Sequence, residues 1–173
     1  GVDYENDAFR AITYLISLGH KNIALVTGHP RALVTSRIIK GYKRALGNNN
    51  IAINDTFIVN ADYDYQIAYD KTKSMMKENP SITAFFVGGY EMAPACLRAL
   101  KDIDLAVPGD TSIVSYIDTE IMALLDPPLT ALKIPYYHIG KRAAELLLES
   151  GGEKRKVIFE TELVVRGSTA RIP

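Results

Sequence analysis

The sequence carries no excess of either charge. Across 173 residues, 20 Lys and Arg face 20 Asp and Glu, for a formal net charge of zero. That balance excludes a broad basic footprint for nucleic acid or anionic lipid, while leaving room for a local basic patch. Cysteine is also scarce. Cys96 stands alone, which excludes an intramolecular disulfide framework and a cysteine-based zinc site and fits a reducing compartment. No apolar run approaches the ~20 residues of a membrane span, and no export signal is visible at Gly1. Phosphate-cradling and nucleophile motifs are missing: there is no Walker loop, no GxGxxG and no GxSxG. The three histidines, His20, His29 and His138, show no metal-binding spacing, and His20, just after Gly19, reads as a capping or packing residue. Paired acids such as Asp118 and Glu120 are too common near strand ends to signal hydrolysis. Nothing favours catalysis.

What is present is an ordinary globular composition, 47% apolar and 23% charged. It disfavours disorder, and the length suits one domain or two small ones with a real core. Helical and strand-like patterns alternate. Ala8, Ala11, Ile12 and Leu15 recur at helical spacing, followed by the strand-like run 22–28. Ile38, Tyr42, Ala45 and Leu46 give a second helix, Phe57 to Val59 a strand, and Ala68, Thr72, Met75 and Met76 a third helix. Thr83 to Val87 is the strongest strand. Ala93, Cys96, Leu97 and Leu100 form the next helical stripe, and Ser112 to Tyr116 another strand. Ile139, Ala143, Leu146 and Leu147 mark a last helix, which Gly151 and Gly152 close. Residues 157–165 read as one long or two short strands, and 152–156 as a solvated turn. This order predicts an α/β fold with a mostly parallel sheet flanked by helices on both faces.

Ligands in such sheets bind at the carboxyl ends of the strands. Four of those ends carry signals. Arg37 follows the first and can offer a fork of donors, or simply pair with a neighbour. Tyr63 and Tyr65 follow the second and can stack on a flat or apolar ligand face, or pack at the rim. Tyr90 and Glu91 follow Gly88 and Gly89 at the third, where glycine permits close backbone approach. Ile117 and Asp118 follow the fourth. Each signal is weak alone, but together they predict a binding crevice. The stripes of Cys96, Leu97 and Leu100 and of Met75 and Met76 read as core.

Six segments occur in an order and spacing that resemble the effector-binding region of the LacI/GalR family of bacterial transcription regulators. They are Leu18 to Ala24, Arg37 with Gly41 to Leu46, Thr83 to Val87, Val107 to Asp110, Asp126 to Thr130 and Arg166 to Thr169. The likeness runs along essentially the whole chain. Asp3 to Glu5, Gly41 to Leu46 and Asp62 to Tyr65 look most like its catabolite control protein A branch. The resemblance implies a periplasmic-binding-protein-like (type I) fold: two similar α/β subdomains with a small-molecule effector between them. It implies that this chain holds one complete subdomain, 2–133 and 158–173, the C-terminal one of the effector-binding domain. Residues 134–157 would belong to the N-terminal subdomain. Operator DNA would be bound by a helix-turn-helix headpiece outside this chain, in a cytoplasmic homodimer with no membrane association and no cofactor. The runner-up is a solute-binding protein of a sugar transport system, which shares the fold. The residues preceding Gly1 in the gene would separate the two.

Carried residue by residue, the resemblance makes Arg37 the effector-gripping arginine and Tyr63 an aromatic that packs on the effector. Gly89, Tyr90, Ile117 and Asp118 line the same site. Two departures stand out: Gly89-Tyr90 replaces an Asn-Asp or Gly-Asp pair, and Ile117 replaces an acid. Carboxylates suit sugars because one can accept from two hydroxyls, so the expected effector is something other than a typical free hexose, less hydroxylated or phosphorylated, or else the site is a weak one. The branch also binds phosphorylated HPr through its last helix region, but it favours an acid and an arginine where this chain has His138 and Glu145, and that partner is not carried over. Ile121, Met122, Leu124 and Leu125 would supply the dimer interface, or pack internally.

Overall fold

The apolar runs form a single sheet because each is buried on both faces. In the computed structural model, which describes residues 1–149 and 155–172, all five residues of β1 (Ile23–Thr27) are buried. So are all four of β3 (Ala84–Val87) and of β4 (Ser112–Ser115). Two further strands, β2 (Ile58–Asn60) and β5 (Thr130–Lys133), flank them, and β6 (Glu162–Val164) forms one edge. The order is β2-β1-β3-β4-β5-β6, parallel throughout except that β6 runs antiparallel to β5.

Strand side chains alternate between faces, so the sheet separates two cores. Ile23, Leu25, Ala84, Phe86 and Val114 meet α1 (Tyr4–Ser17) and α2 (Leu33–Asn48) on one side. Ala24, Val26, Phe85, Val87 and Ile113 meet α3 (Tyr65–Glu78) and α4 (Met92–Lys101) on the other. Cys96, Leu97, Leu100, Met75 and Met76 all lie in this second core. Burial pushes the Cys96 thiol up to about 12. The helices start where the sequence offers caps: Asp3 accepts from the Asn6 amide at 3.1 Å and Asp64 from that of Ile67 at 2.8 Å. α1 and α2 pack so closely that a Cβ on Gly41 would lie 2.1 Å from the Glu5 carbonyl oxygen.

His20 is a buried hub, neither a metal ligand nor a surface cap. Its Nδ1 lies 3.0 Å from Thr83 Oγ1, and its Nε2 lies 3.0 Å from Ser112 Oγ and 3.1 Å from the Ala170 carbonyl. It thus joins the amino ends of β3 and β4 to the C-terminal segment.

The segment 157–165 departs from expectation. Only Glu162–Val164 joins the sheet. Earlier in it, the Phe159 amide donates to the Gly1 carbonyl at 2.9 Å, and Val2 and Phe159 form an isolated parallel bridge. Residues 1–2 and 157–159 satisfy their backbone against each other, which removes them from the sheet. The last helix, α6 (Tyr136–Glu149), buries none of its residues. Ile134, expected in the neighbouring subdomain, is instead buried in the α1/α2 core. The expected stop at Gly151 and Gly152 and most of the turn at 152–156 lie outside the described residues. Among the described residues, no helix is long and apolar enough to cross a membrane.

Candidate ligand-binding cleft

The carboxyl ends of β1 to β4 form a wall dominated by one aromatic ring. Asp62 and Tyr63 both take left-handed backbone, at φ 51° and 61°. Such conformations cost non-glycine residues about 1–3 kcal/mol each and persist where surroundings enforce them. Here they lay the Tyr63 ring across two glycines. A Cβ on Gly28 would stand 1.9 Å from Tyr63 Cζ, and one on Gly89 would stand 3.0 Å from Tyr63 Cδ1. Those two positions are glycine because the ring occupies the space a side chain would need.

Beside this ring, the polar side chains at the strand ends are already engaged. Thr27 Oγ1 donates to Asn60 Oδ1 at 2.8 Å. Ser115 Oγ donates to the Ile117 carbonyl at 3.0 Å. Asp118 accepts from both terminal nitrogens of Arg166, at 2.8 and 2.9 Å, and Arg166 also donates to the Leu129 carbonyl. The pair is largely buried, with side chains 10% and 20% exposed. Asp118, expected to face a ligand, is therefore a structural lock between the β4 end and the C-terminal segment. A two-pronged ion pair leaves its carboxylate little spare capacity.

Arg37 also departs from expectation. Its guanidinium lies 3.9 Å from Glu5 and is half-exposed. It lines a hollow of about 250 Å³ with Val2, Asp3, Tyr4, Leu33, Lys156 and Ile158, apart from the other expected site residues. The neighbouring Ile38, which the sequence assigned only to a helical stripe, is the residue that reaches the strand ends: its Cδ1 is 3.5 Å from where a Cβ on Gly88 would be.

Tyr90 is exposed, and Glu91 beside it raises its phenol above the ordinary value. Tyr136, at the start of α6, stands near Tyr4, Tyr90 and Glu91; partial burial and then these neighbours raise its phenol. Ile117 is half-buried against the α1/α2 core. The wall thus offers tyrosine rings, glycine backbone and aliphatic side chains, with Tyr90 and Glu91 at its edge. Among the described residues, no group of three or more His, Cys, Asp and Glu could hold a metal ion. A roomier hollow of about 510 Å³ lies at the opposite end of α3, over Met76, Pro80, Ile103 and Leu105. Lys73 at its edge is taken up by the Tyr69 hydroxyl.

Of the four residues expected at a dimer surface, Ile121 and Leu124 are exposed, at 55% and 83%. Leu125 is half-buried against the α3/α4 core, and Met122 is wholly inside it. Met122 is therefore a core residue, because the five-residue helix α5 (Glu120–Leu124) turns one side inward.

Residues 12–169 match the periplasmic binding protein-like domain family. Catabolite control protein A of Priestia megaterium is 37% identical over 147 residues, which cover 84% of this chain and 44% of that protein. The HTH-type transcriptional regulator MalR of Clostridium butyricum is 34% identical over 176 residues, covering 99% of this chain and 52% of that protein. Among solved structures, a LacI family transcriptional regulator from Enterococcus faecium with bound ribose superimposes with a TM-score of 0.90 at 26% identity, covering 99% of this chain and 65% of that one. The chain spans about half the length of the curated relatives it matches. The chain belongs to the periplasmic binding protein-like domain family, in the effector-binding form that LacI-type transcription regulators carry.

Proposed function

We infer that this chain is the effector-sensing and dimerising portion of a cytoplasmic bacterial transcription regulator linked to carbohydrate metabolism. Operator DNA is bound by a headpiece outside the chain, and no reaction is catalysed. The observation that carries this reading is the strand-end wall built on Tyr63, Gly28 and Gly89. It stands where open α/β sheets bind ligands. The uncovered helix α6 supports the second half of the reading. Leu147 and Leu148 are 83% and 90% exposed, as suits a segment, from Pro135 to about Val157, that packs in the N-terminal subdomain. Effector in the cleft biases the angle between subdomains and so the spacing of paired headpieces.

The wall also narrows the effector. Sugar hydroxyls need acceptors. Ile117 offers none, and the Asp118 carboxylate is held by Arg166. A hydroxyl buried against Ile117 would lose about 1–3 kcal/mol. The effector presents a flat or apolar face to Tyr63 and carries fewer hydroxyls than a free hexose, or carries a phosphate. Thermal shift of the full-length regulator against free hexoses, pentoses and sugar phosphates tests this. The expected result is no stabilisation by free hexoses at millimolar concentration. Clear stabilisation by an ordinary hexose would overturn the effector class, and failure of Tyr63→Ala to weaken any stabilising compound would overturn the site.

A further inference from the structure

Asp7 is a buried carboxylate that the cleft does not use. It lies on the inner face of α1, 3% exposed. Its Oδ1 accepts a hydrogen bond from Thr161 Oγ1 at 2.6 Å, and its Oδ2 accepts one from the Tyr116 hydroxyl at 3.0 Å. Arg10 Nη1 stands 4.0 Å from Oδ1 and donates to the Thr161 carbonyl at 3.0 Å. Burial pushes the Asp7 carboxyl above the ordinary carboxylate range, while the bonds from Thr161 and Tyr116 and the charge of Arg10 pull it back. An apolar side chain would serve helix packing here without the desolvation penalty. What the carboxylate adds is a junction.

Its two arms lead to different places. Tyr116 follows β4; its amide donates to the Val87 carbonyl at 2.7 Å, and Ile117 and Asp118 of the cleft wall come next. The Asp118 amide in turn donates to the Leu132 carbonyl at 2.8 Å. Thr161 lies two residues beyond Phe159, the residue paired with the chain's entry at Gly1 and Val2. No strand pairing joins these two places directly.

We propose that Asp7 is a positioning residue that couples the Ile117–Asp118 end of β4 to the crossing segment at 159–161, so that an effector displacing one shifts the other. The proposal rests on the reading above that the chain passes between subdomains at this segment. The coupling is reciprocal, as any linkage between two sites must be.

Hydrogen exchange of single amides in this chain tests it. Tyr116→Phe removes the hydroxyl on the cleft side and should speed exchange of the Phe159 amide by about tenfold, since a charge-assisted bond has been lost from the junction. Thr161→Val should do the same to the Asp118 amide. Thr161→Ser, which keeps the hydroxyl, should leave it at the wild-type rate. In an Asp7→Asn background, neither Tyr116→Phe nor Thr161→Val should act across the junction. Amides of β1 and β3 report whether each variant remains folded. Two results would overturn the proposal: effects confined to the side mutated, or Thr161→Ser behaving like Thr161→Val in variants whose β1 and β3 amides stay protected. The amides of α6 separate this from the underlying reading. If they are as protected as those of α4, the assignment of α6 to another subdomain fails whether or not Asp7 couples its two neighbours.

Discussion

Three residues set the character of this fold, and each makes a separate prediction. His20 is held by Thr83, Ser112 and Ala170, and burial lowers its pKa from the ordinary 6.5. Below that pH the unfolded chain takes up the proton before the folded one does, so stability falls as the solution is acidified through this range. Denaturant midpoints measured between about pH 8 and 5 should drop more steeply for the wild type than for His20→Asn. Gly28 underlies the Tyr63 ring at 1.9 Å from a would-be Cβ. Gly28→Ala should therefore cost about 1–3 kcal/mol, as overpacking does. Adding Tyr63→Ala should recover most of that loss, which a double-mutant cycle by chemical denaturation would read. Asp118→Ala strands the largely buried Arg166 guanidinium. It should destabilise by about 3 kcal/mol, read by chemical denaturation.

At the scale of elements, the helices and central strands were legible in the sequence because each carries its own period. Ala8, Ala11, Ile12 and Leu15 mark the buried face of α1, and β1, β3 and β4 are short, mostly apolar runs buried throughout. The last helix was legible too, but what covers it came only from the family resemblance, not from its own pattern. Its apolar stripe predicts burial, yet Leu147 and Leu148 stand exposed. Periodicity tells that a face wants cover, not which chain segment supplies it. Leu147→Asp with Leu148→Asp should accordingly change the stability of this chain by no more than about 0.5 kcal/mol. The matching change at Leu97, inside the α3/α4 core, should unfold it in the same melt. The cleft was legible only in outline. Strand ends drew attention to Tyr63, Gly89 and Ile117, and the topology of a parallel sheet places them beside one another at its carboxyl edge. Arg37 and Ile38 face different ways, toward Glu5 and into the α1/α2 core, because a one-residue step around a helix turns a side chain by about 100°. Asp118 was misassigned because its partner Arg166 lies 48 residues away, beyond any local pattern. The Asp7, Tyr116 and Thr161 junction left no sequence signal for the same reason.

For the molecule as a whole, exposed apolar residues recur on α5 and α6. Ile121 and Leu124 on α5 are exposed, and the same short helix sends Met122 into the α3/α4 core, on the side of the sheet opposite α1 and α2. A regulator half that assembles through this subdomain needs such a face, whereas a monomeric binding protein has no use for one. The most direct measurement is sedimentation of the chain at micromolar concentration, with and without Leu124→Asp. The expected result is a dimer that the substitution converts to a folded monomer: the fold survives because Leu124 is 83% exposed within one chain, while the melting temperature falls by what dimerisation contributes. A monomer in both cases, or a dimer indifferent to the substitution, would contradict it.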